Sequence, residues 1–396
     1  MSDDLRTLFR RHVCQTSDAP MGLDVVRASG STVWDRSGRA YLDLLAGMGV
    51  ANVGHAHPDV VAAVRAQAER HLHVMVYGEY VQEPQVRLAA RLAALLPPPL
   101  SVVYFTSSGA EAIDGALKTA RKRTGRRRFV AFEGGFHGDT WGALSIGGNP
   151  IYREPFEPGL PHVSLLPFGD ESALRAIDTD TAAVVIEPVQ AEGGVRIPPP
   201  GYLAALRSRC TEMGALLVFD EVVTAFGRTG RLFGLEHTGV TPDLLVLAKA
   251  LGGGLPLGAF AGAPETMRTL SRDPPLAHVT TFGGHPLSCA AGLAALDVLV
   301  REALVERAAR IGTELLRRLR VLVGRAGLVE ARGIGMLLGL EFERPEACAR
   351  AARRAFDAGL VVNWTLHRDT VIRLAPPLTL GEAEMDDAVR RLATAL

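Results

Sequence analysis

Apolar residues in the middle of the chain follow two alternating rhythms. Short unbroken runs at 102–105, 129–132, 182–186, 215–219, 244–248 and 259–261 read as buried strands. Between them apolar positions recur at helical spacing. Over 110–123, for example, Ala112, Ile113, Ala116, Leu117 and Ala120 share one face. Strands alternating with helices predict an α/β fold around a mostly parallel sheet. From 286 to 323 the pattern reads as one long connecting helix. After Gly333 the rhythm changes. Strands are expected at 334–342, 360–364 and 371–374, and helices at 346–357 and 382–395, which together make a smaller α+β domain. Two strand-like pieces near the N-terminus, Thr32-Val33-Trp34 and Ala40-Tyr41-Leu42, flank the turn Asp35-Arg36-Ser37-Gly38 and are read as joining that smaller domain. The expected division is therefore 1–50 as an N-terminal segment of the small domain, 51–290 as the large domain, and 291–396 as connecting helix and C-terminal small domain.

Composition narrows the class. The chain has 396 residues, 47% of them hydrophobic, and a formal net charge of zero. That suits a packed enzyme and gives no electrostatic case for nucleic acid or an anionic membrane. Cys14, Cys210, Cys289 and Cys348 are scattered without metal-binding spacing and read as free thiols in a reducing compartment. The start, Met1-Ser2-Asp3-Asp4, lacks the apolar stretch of a secretory signal. No apolar run is long enough to span a bilayer. A cytoplasmic protein without a metal is expected.

Ligands of open parallel sheets bind beyond the carboxyl ends of the strands, and several polar groups follow strands here. Lys249 stands out. Only three of the 43 basic residues are lysines, Lys118, Lys122 and Lys249, and Lys249 ends an apolar run before Ala250-Leu251-Gly252-Gly253-Gly254. An unpaired buried ammonium is costly, and a desolvated amine is a nucleophile that arginine cannot imitate. Lys249 is the first candidate for a covalent anchor. Ser107-Ser108-Gly109-Ala110 lies between a strand and a helix. It reads either as an anion site at the helix N-terminus or as an ordinary cap supported by Glu111. Asp220 ends a strand. It would hold a pyridine nitrogen protonated, cap a helix or join a structural ion pair. Phe136 beside Gly134-Gly135 would stack on a flat cofactor or close the core.

Together these parts resemble class III, fold type I aminotransferases, which depend on pyridoxal 5′-phosphate. The resemblance covers nearly the whole chain. It is carried by Ser107-Ser108-Gly109-Ala110-Glu111-Ala112, Phe136-His137-Gly138, Ile186-Glu187-Pro188-Val189-Gln190-Ala191-Glu192-Gly193-Gly194, Phe219-Asp220-Glu221-Val222, Gly227-Arg228-Thr229-Gly230, Leu247-Ala248-Lys249-Ala250-Leu251-Gly252-Gly253-Gly254, Thr280-Thr281-Phe282-Gly283-Gly284 and Arg373-Leu374-Ala375-Pro376-Pro377-Leu378. It implies that Lys249 carries the cofactor and then shuttles a proton, and that Asp220 pairs with the ring nitrogen. Val222 and Phe136 would cover the two ring faces. Ser108, Gly109 and Ala110 would hold the phosphate, with His137 in the same cofactor site and Glu187 orienting cofactor or substrate. Thr281 would reach the phosphate in a neighbouring subunit, so a homodimer with active sites at its interface is expected. Arg373 would grip a substrate carboxylate bidentately. Glu192 would pair with it when no carboxylate is bound, unless the two form a permanent ion pair. The substrate couple so implied is glutamate and 2-oxoglutarate with a primary ω-amine, in a ping-pong cycle.

Departures from the family pattern bear on the amine. Asp139 stands where acetylornithine, ornithine and 4-aminobutyrate enzymes commonly carry an arginine. It either favours a neutral or cationic amine end or simply points to solvent. Val223 replaces a frequent glutamine, as in amine-type members. His285 and Ser107 each replace an asparagine. Stretches such as Asn52-Val53-Gly54-His55 and Ile197-Pro198-Pro199-Pro200-Gly201-Tyr202-Leu203 resemble putrescine aminotransferases, though the chain lacks their extended N-terminus. The alternatives are an acetylornithine or ornithine aminotransferase or a secondary-metabolism relative, an aminomutase or racemase on the same fold, and a non-catalytic binding protein.

Overall fold

The computed structural model describes residues 4–396. Its centre is a seven-stranded sheet: β1 (Val102–Thr106), β2 (Arg128–Phe132), β3 (Val163–Leu166), β4 (Thr181–Ile186), β5 (Leu216–Asp220), β6 (Leu244–Leu247) and β7 (Gly258–Gly262). The strand order is β1-β7-β6-β5-β4-β2-β3. From β6 to β3 the strands are parallel, whereas β7 runs antiparallel between β1 and β6. Strands buried on both faces need continuous apolar runs, and β4 and β6 are buried at every position. The α/β expectation therefore holds. One strand of this sheet escaped the sequence reading: β3, at the sheet edge, has a half-exposed Ser164 and only one neighbour.

Two smaller sheets flank it. Val25–Ser29, Thr32–Asp35 and Ala40–Asp43 form a meander, and Leu360–Val361 joins it in parallel through Leu360 opposite Leu42. The other sheet is antiparallel, in the order Leu328–Ile334, Leu337–Phe342, Val371–Leu374, Asn363–Trp364. Three expectations need correction here. The expected strand 334–342 begins a separate strand at Leu337, after a turn in which Gly335 has φ +56°, and pairs with Leu328–Ile334. The expected strand 360–364 divides at Val362 and serves both small sheets. The single helix over 286–323 is two helices, Pro286–Arg301 and Leu304–Arg320, broken where Ala303 turns left-handed at φ +51°.

Two contacts tie these layers together. Arg228, fully buried, donates from Nη1 to the carbonyls of Pro376 (2.6 Å) and Met336 (3.1 Å), and from Nη2 to Asn52 Oδ1 (2.5 Å). Burial without a carboxylate partner pushes its pKa down to about 9. Helix Leu304–Arg320 approaches the Gly335 turn so closely that a Cβ on Gly312 would lie 1.9 Å from the Gly335 carbonyl oxygen. Gly312→Ala should therefore destabilise the protein by about 2 kcal/mol through overpacking, despite better helix propensity. A thermal melt checks this; an unchanged Tm would show that the helix slides away freely. No helix among the described residues is long and apolar enough to cross a membrane.

Candidate active site

The carboxyl ends of the parallel strands open into a cavity of about 400 Å³, lined by Ser107 to Ala110, Phe136 to Gly138, Glu187, Glu192, Asp220, Val222 and Lys249. Each lining group sits there for a local reason. Ser108 is the N-cap of helix Gly109–Thr124. Its Oγ accepts the Glu111 N–H at 3.2 Å, while the Glu111 carboxylate accepts the Ser107 N–H at 2.7 Å. This reciprocal cap and an anion cradle are not alternatives. The cap leaves Gly109 and Ala110, in the first helical turn, lining the cavity, where N–H groups without intrahelical partners suit an anion. Gly138, at φ +117°, lies over that turn; a Cβ there would come within 2.4 Å of Ala110 Cβ.

Asp220 is fixed by both oxygens. Oδ1 accepts the Val222 N–H (3.0 Å) and Oδ2 meets His137 Nδ1 (2.7 Å). Burial alone would lower the pKa of His137. The adjoining Asp220 outweighs burial and raises it, which favours the protonated imidazole beside the carboxylate. Glu187 accepts the N–H groups of Phe136 (2.9 Å) and Ala191 (3.1 Å). Its burial, beside Asp220, pushes its pKa up to about 7 against the pull of His137.

Lys249 follows β6 at φ +49°, an uncommon conformation for a side-chain-bearing residue. Its surroundings lower the pKa of the amine. Burial is the main cause, and Arg373 adds to it, against the opposing pull of Glu192 and Asp220. Arg373, 2% exposed, makes a short ion pair with Glu192, 6% exposed, which lines the cavity. Burial would raise the Glu192 pKa, but Arg373 and a hydrogen bond from Leu366 N–H (2.8 Å) bring it below the ordinary value. Arg373 Nη2 also meets Met48 Sδ at 3.1 Å.

Three expected site residues lie outside this lining: Thr281, Asp139 and Arg373, which reaches it through its ion pair with Glu192. Thr281 is exposed, in the 280–284 loop. Asp139 is also exposed, one residue beyond Gly138. Sequence reasoning missed Val50, Pro256 and Leu257, which complete the apolar wall, as well as Met48, Tyr152 and His367. The pair Gly47-Met48, both in left-handed conformations, left only a faint signal in its flanking glycines. Among the described residues no cluster of His, Cys, Asp or Glu is placed to hold a metal.

A buried cation–carboxylate pair, a lysine amine whose pKa burial lowers, a clamped aspartate and a helix N-terminus at the cavity wall define one class of site. The family model for class-III aminotransferases matches residues 13–396, and the chain belongs to that family. An acetylornithine aminotransferase of Methanopyrus kandleri is 46% identical over 99% of both chains. A putrescine aminotransferase of Pectobacterium atrosepticum is 44% identical over 94% of this chain and 81% of its own. The ornithine aminotransferase of Toxoplasma gondii, whose active site holds pyridoxal phosphate at partial occupancy, superposes with a TM-score of 0.92 at 32% identity, covering 99% of this chain and 93% of that one.

Proposed function

We propose that this pyridoxal-phosphate-dependent aminotransferase exchanges an amino group between a primary ω-amine and 2-oxoglutarate in two half-reactions. The observation that carries this reading is the buried Glu192–Arg373 pair beside Lys249. A guanidinium so enclosed grips a carboxylate when Glu192 moves aside, and is neutralised by Glu192 when an amine without a carboxylate enters.

The residues fit the cofactor. Ser108, Gly109 and Ala110 offer an anion cradle, Val222 and Phe136 offer two apolar faces, and Lys249 offers an amine whose pKa burial lowers. When bound, pyridoxal phosphate supplies the carbonyl carbon that receives the amino group and the ring that takes up electrons. Asp220, braced by His137, keeps a proton on the ring nitrogen. Lys249 Nζ, once free, takes the proton from the substrate carbon and returns it. Glu187 stiffens the Phe136 loop through its two backbone hydrogen bonds.

A homodimer fits the surface. Val81 is 93% exposed, and Leu72, Met75 and Tyr80 are exposed nearby in sequence. This segment meets the Thr281 loop through the rings of His73 and Phe282, 4.9 Å apart. A second copy covering that apolar surface would bring Thr281 toward its partner's phosphate. Four free cysteines, three of them buried, suit a reducing cytoplasm.

The test is the visible absorbance of the holoenzyme. L-Glutamate without acceptor should bleach the absorption band, and 2-oxoglutarate should restore it. A band indifferent to glutamate would remove the donor assignment. The second reading, an acetylornithine or ornithine aminotransferase, is favoured by the identity to the M. kandleri relative. Asp139 separates the two. With a carboxylate rather than an arginine there, kcat/KM for putrescine should exceed that for N-acetylornithine at least about tenfold. Asp139→Arg should narrow or invert the ratio. A native preference for N-acetylornithine would favour the second reading.

A further inference from the structure

Glu192 is held by more than Arg373. Its Oε2 accepts the Leu366 N–H at 2.8 Å, and its backbone carbonyl accepts the His367 N–H at 3.1 Å. Both donors belong to the 364–370 loop, which precedes the strand carrying Arg373. The loop is secured from outside by one side chain. Tyr152 Oη donates to the Leu366 carbonyl at 2.9 Å, and the Tyr152 ring stacks on His367, with centroids 5.4 Å apart and planes 16° apart. The peptide between Leu366 and His367 thus accepts from Tyr152 at its oxygen and donates to the Glu192 backbone carbonyl at its nitrogen, while the preceding peptide's Leu366 N–H holds the Glu192 carboxylate. Each bond polarises the other.

Tyr152 is itself well placed to act as an anchor. It sits in the short helix Pro150–Arg153, capped by Asn149 Oδ1 accepting the Ile151 N–H at 3.1 Å. The next residue, Arg153, donates to the Gly147 carbonyl at 3.2 Å. On its other side His367 packs its ring edge-on against Phe136, 5.5 Å away, and sets Nδ1 3.4 Å from the Gly134 carbonyl. The loop therefore spans from the Tyr152 helix to the cavity wall and presents its amide to Glu192 midway.

We propose that Tyr152 is a positioning residue for the substrate switch: by fixing the 364–370 loop it holds Glu192 on Arg373 and so sets how readily a dicarboxylate displaces it. This rests on the reading of Glu192 and Arg373 as a switch. The Leu366 N–H and Arg373 bonds to Glu192 form together only while the loop stays in place. Anchoring the loop stabilises the paired state, in which Arg373 is not free for an incoming carboxylate. The apparent affinity for a dicarboxylate is lowered by the fraction of molecules in that state. Loosening the loop releases part of that restraint. Tyr152 touches no reacting atom, so it changes binding and not the chemical step.

The experiment measures binding of glutarate, an unreactive dicarboxylate, to the holoenzyme by titration calorimetry. KM and kcat for L-glutamate are measured alongside. Tyr152→Phe removes only the hydroxyl and keeps the stacked ring. It should tighten glutarate roughly three- to tenfold, the scale of one lost hydrogen bond. It should lower the glutamate KM in parallel and leave kcat within about twofold. Glu192→Gln weakens the competing ion pair directly and should tighten glutarate further. In the double variant the Tyr152 effect should vanish, because Tyr152 acts through Glu192. An unchanged or weakened glutarate affinity in Tyr152→Phe, with Glu192→Gln tightened, overturns the role of Tyr152 and leaves the switch standing. Unchanged affinity in Glu192→Gln overturns both. A Tyr152 effect of equal size in the Glu192→Gln background also overturns the proposal, since it would not pass through Glu192.

Discussion

Lys249→Ala lowers turnover by more than about 10⁴-fold, and no other lysine takes its place. Losing a positioned proton carrier alone costs roughly 10²–10⁴-fold, and this substitution also removes the proposed covalent anchor. Lys118 and Lys122 both lie on helix Gly109–Thr124, and neither is among the residues that line the cavity. Lys249→Arg does not restore activity, because a guanidinium stays protonated at any working pH. Folding should survive either change. The side chain contributes a buried amine that its surroundings push toward neutrality, and its backbone already occupies a left-handed conformation. Steady-state rates with glutamate and any accepted carbonyl partner check this, with circular dichroism confirming the fold. Turnover within tenfold of the native enzyme would remove Lys249 from the chemistry.

Asp220→Asn has the second largest expected effect, about a 10³-fold fall in kcat. The amide keeps the shape but loses the charge proposed to hold a proton on the ring nitrogen. His137 registers the same loss. Its raised pKa depends on Asp220 outweighing burial, so in the variant the His137 pKa should fall. Stability follows the same sign. In the native protein the raised His137 pKa contributes stability that is fully present below the ordinary histidine pKa. That contribution fades as pH rises through the folded value. The variant should lack this component. The kinetic measurement is kcat at saturating cofactor, with cofactor affinity determined separately. A kcat within threefold of native would mean that the ring nitrogen does not need the carboxylate.

Much of this site was legible because its groups follow strands. Lys249, Asp220, Glu187 and Ser108 each stand just past an apolar run, and the sheet turns that position in sequence into a shared place in space. Glu192 and Arg373 could not be paired that way. They lie 181 residues apart, and only the family resemblance joined them. Tyr152 and His367 were invisible for a different reason: each lies in a short, half-exposed segment with no periodicity. The fold shows the same limit. Runs buried on both faces announced themselves, but the break at Ala303 has neither glycine nor proline to mark it. At Val362 one continuous strand-like run changes sheets without any change in its residues.

That change of sheets also bears on how the chain is made. Ala40–Asp43 finds its parallel neighbour in Leu360–Val361, which a ribosome adds roughly 300 residues later, after some tens of seconds at ordinary elongation speeds. Through that interval the edge of the nascent meander that Leu360–Val361 later covers stays bare, open to pairing with any other unfinished chain. Products of early termination keep that edge permanently, so aggregation in the cell should track incomplete synthesis more closely than the melting of the finished protein.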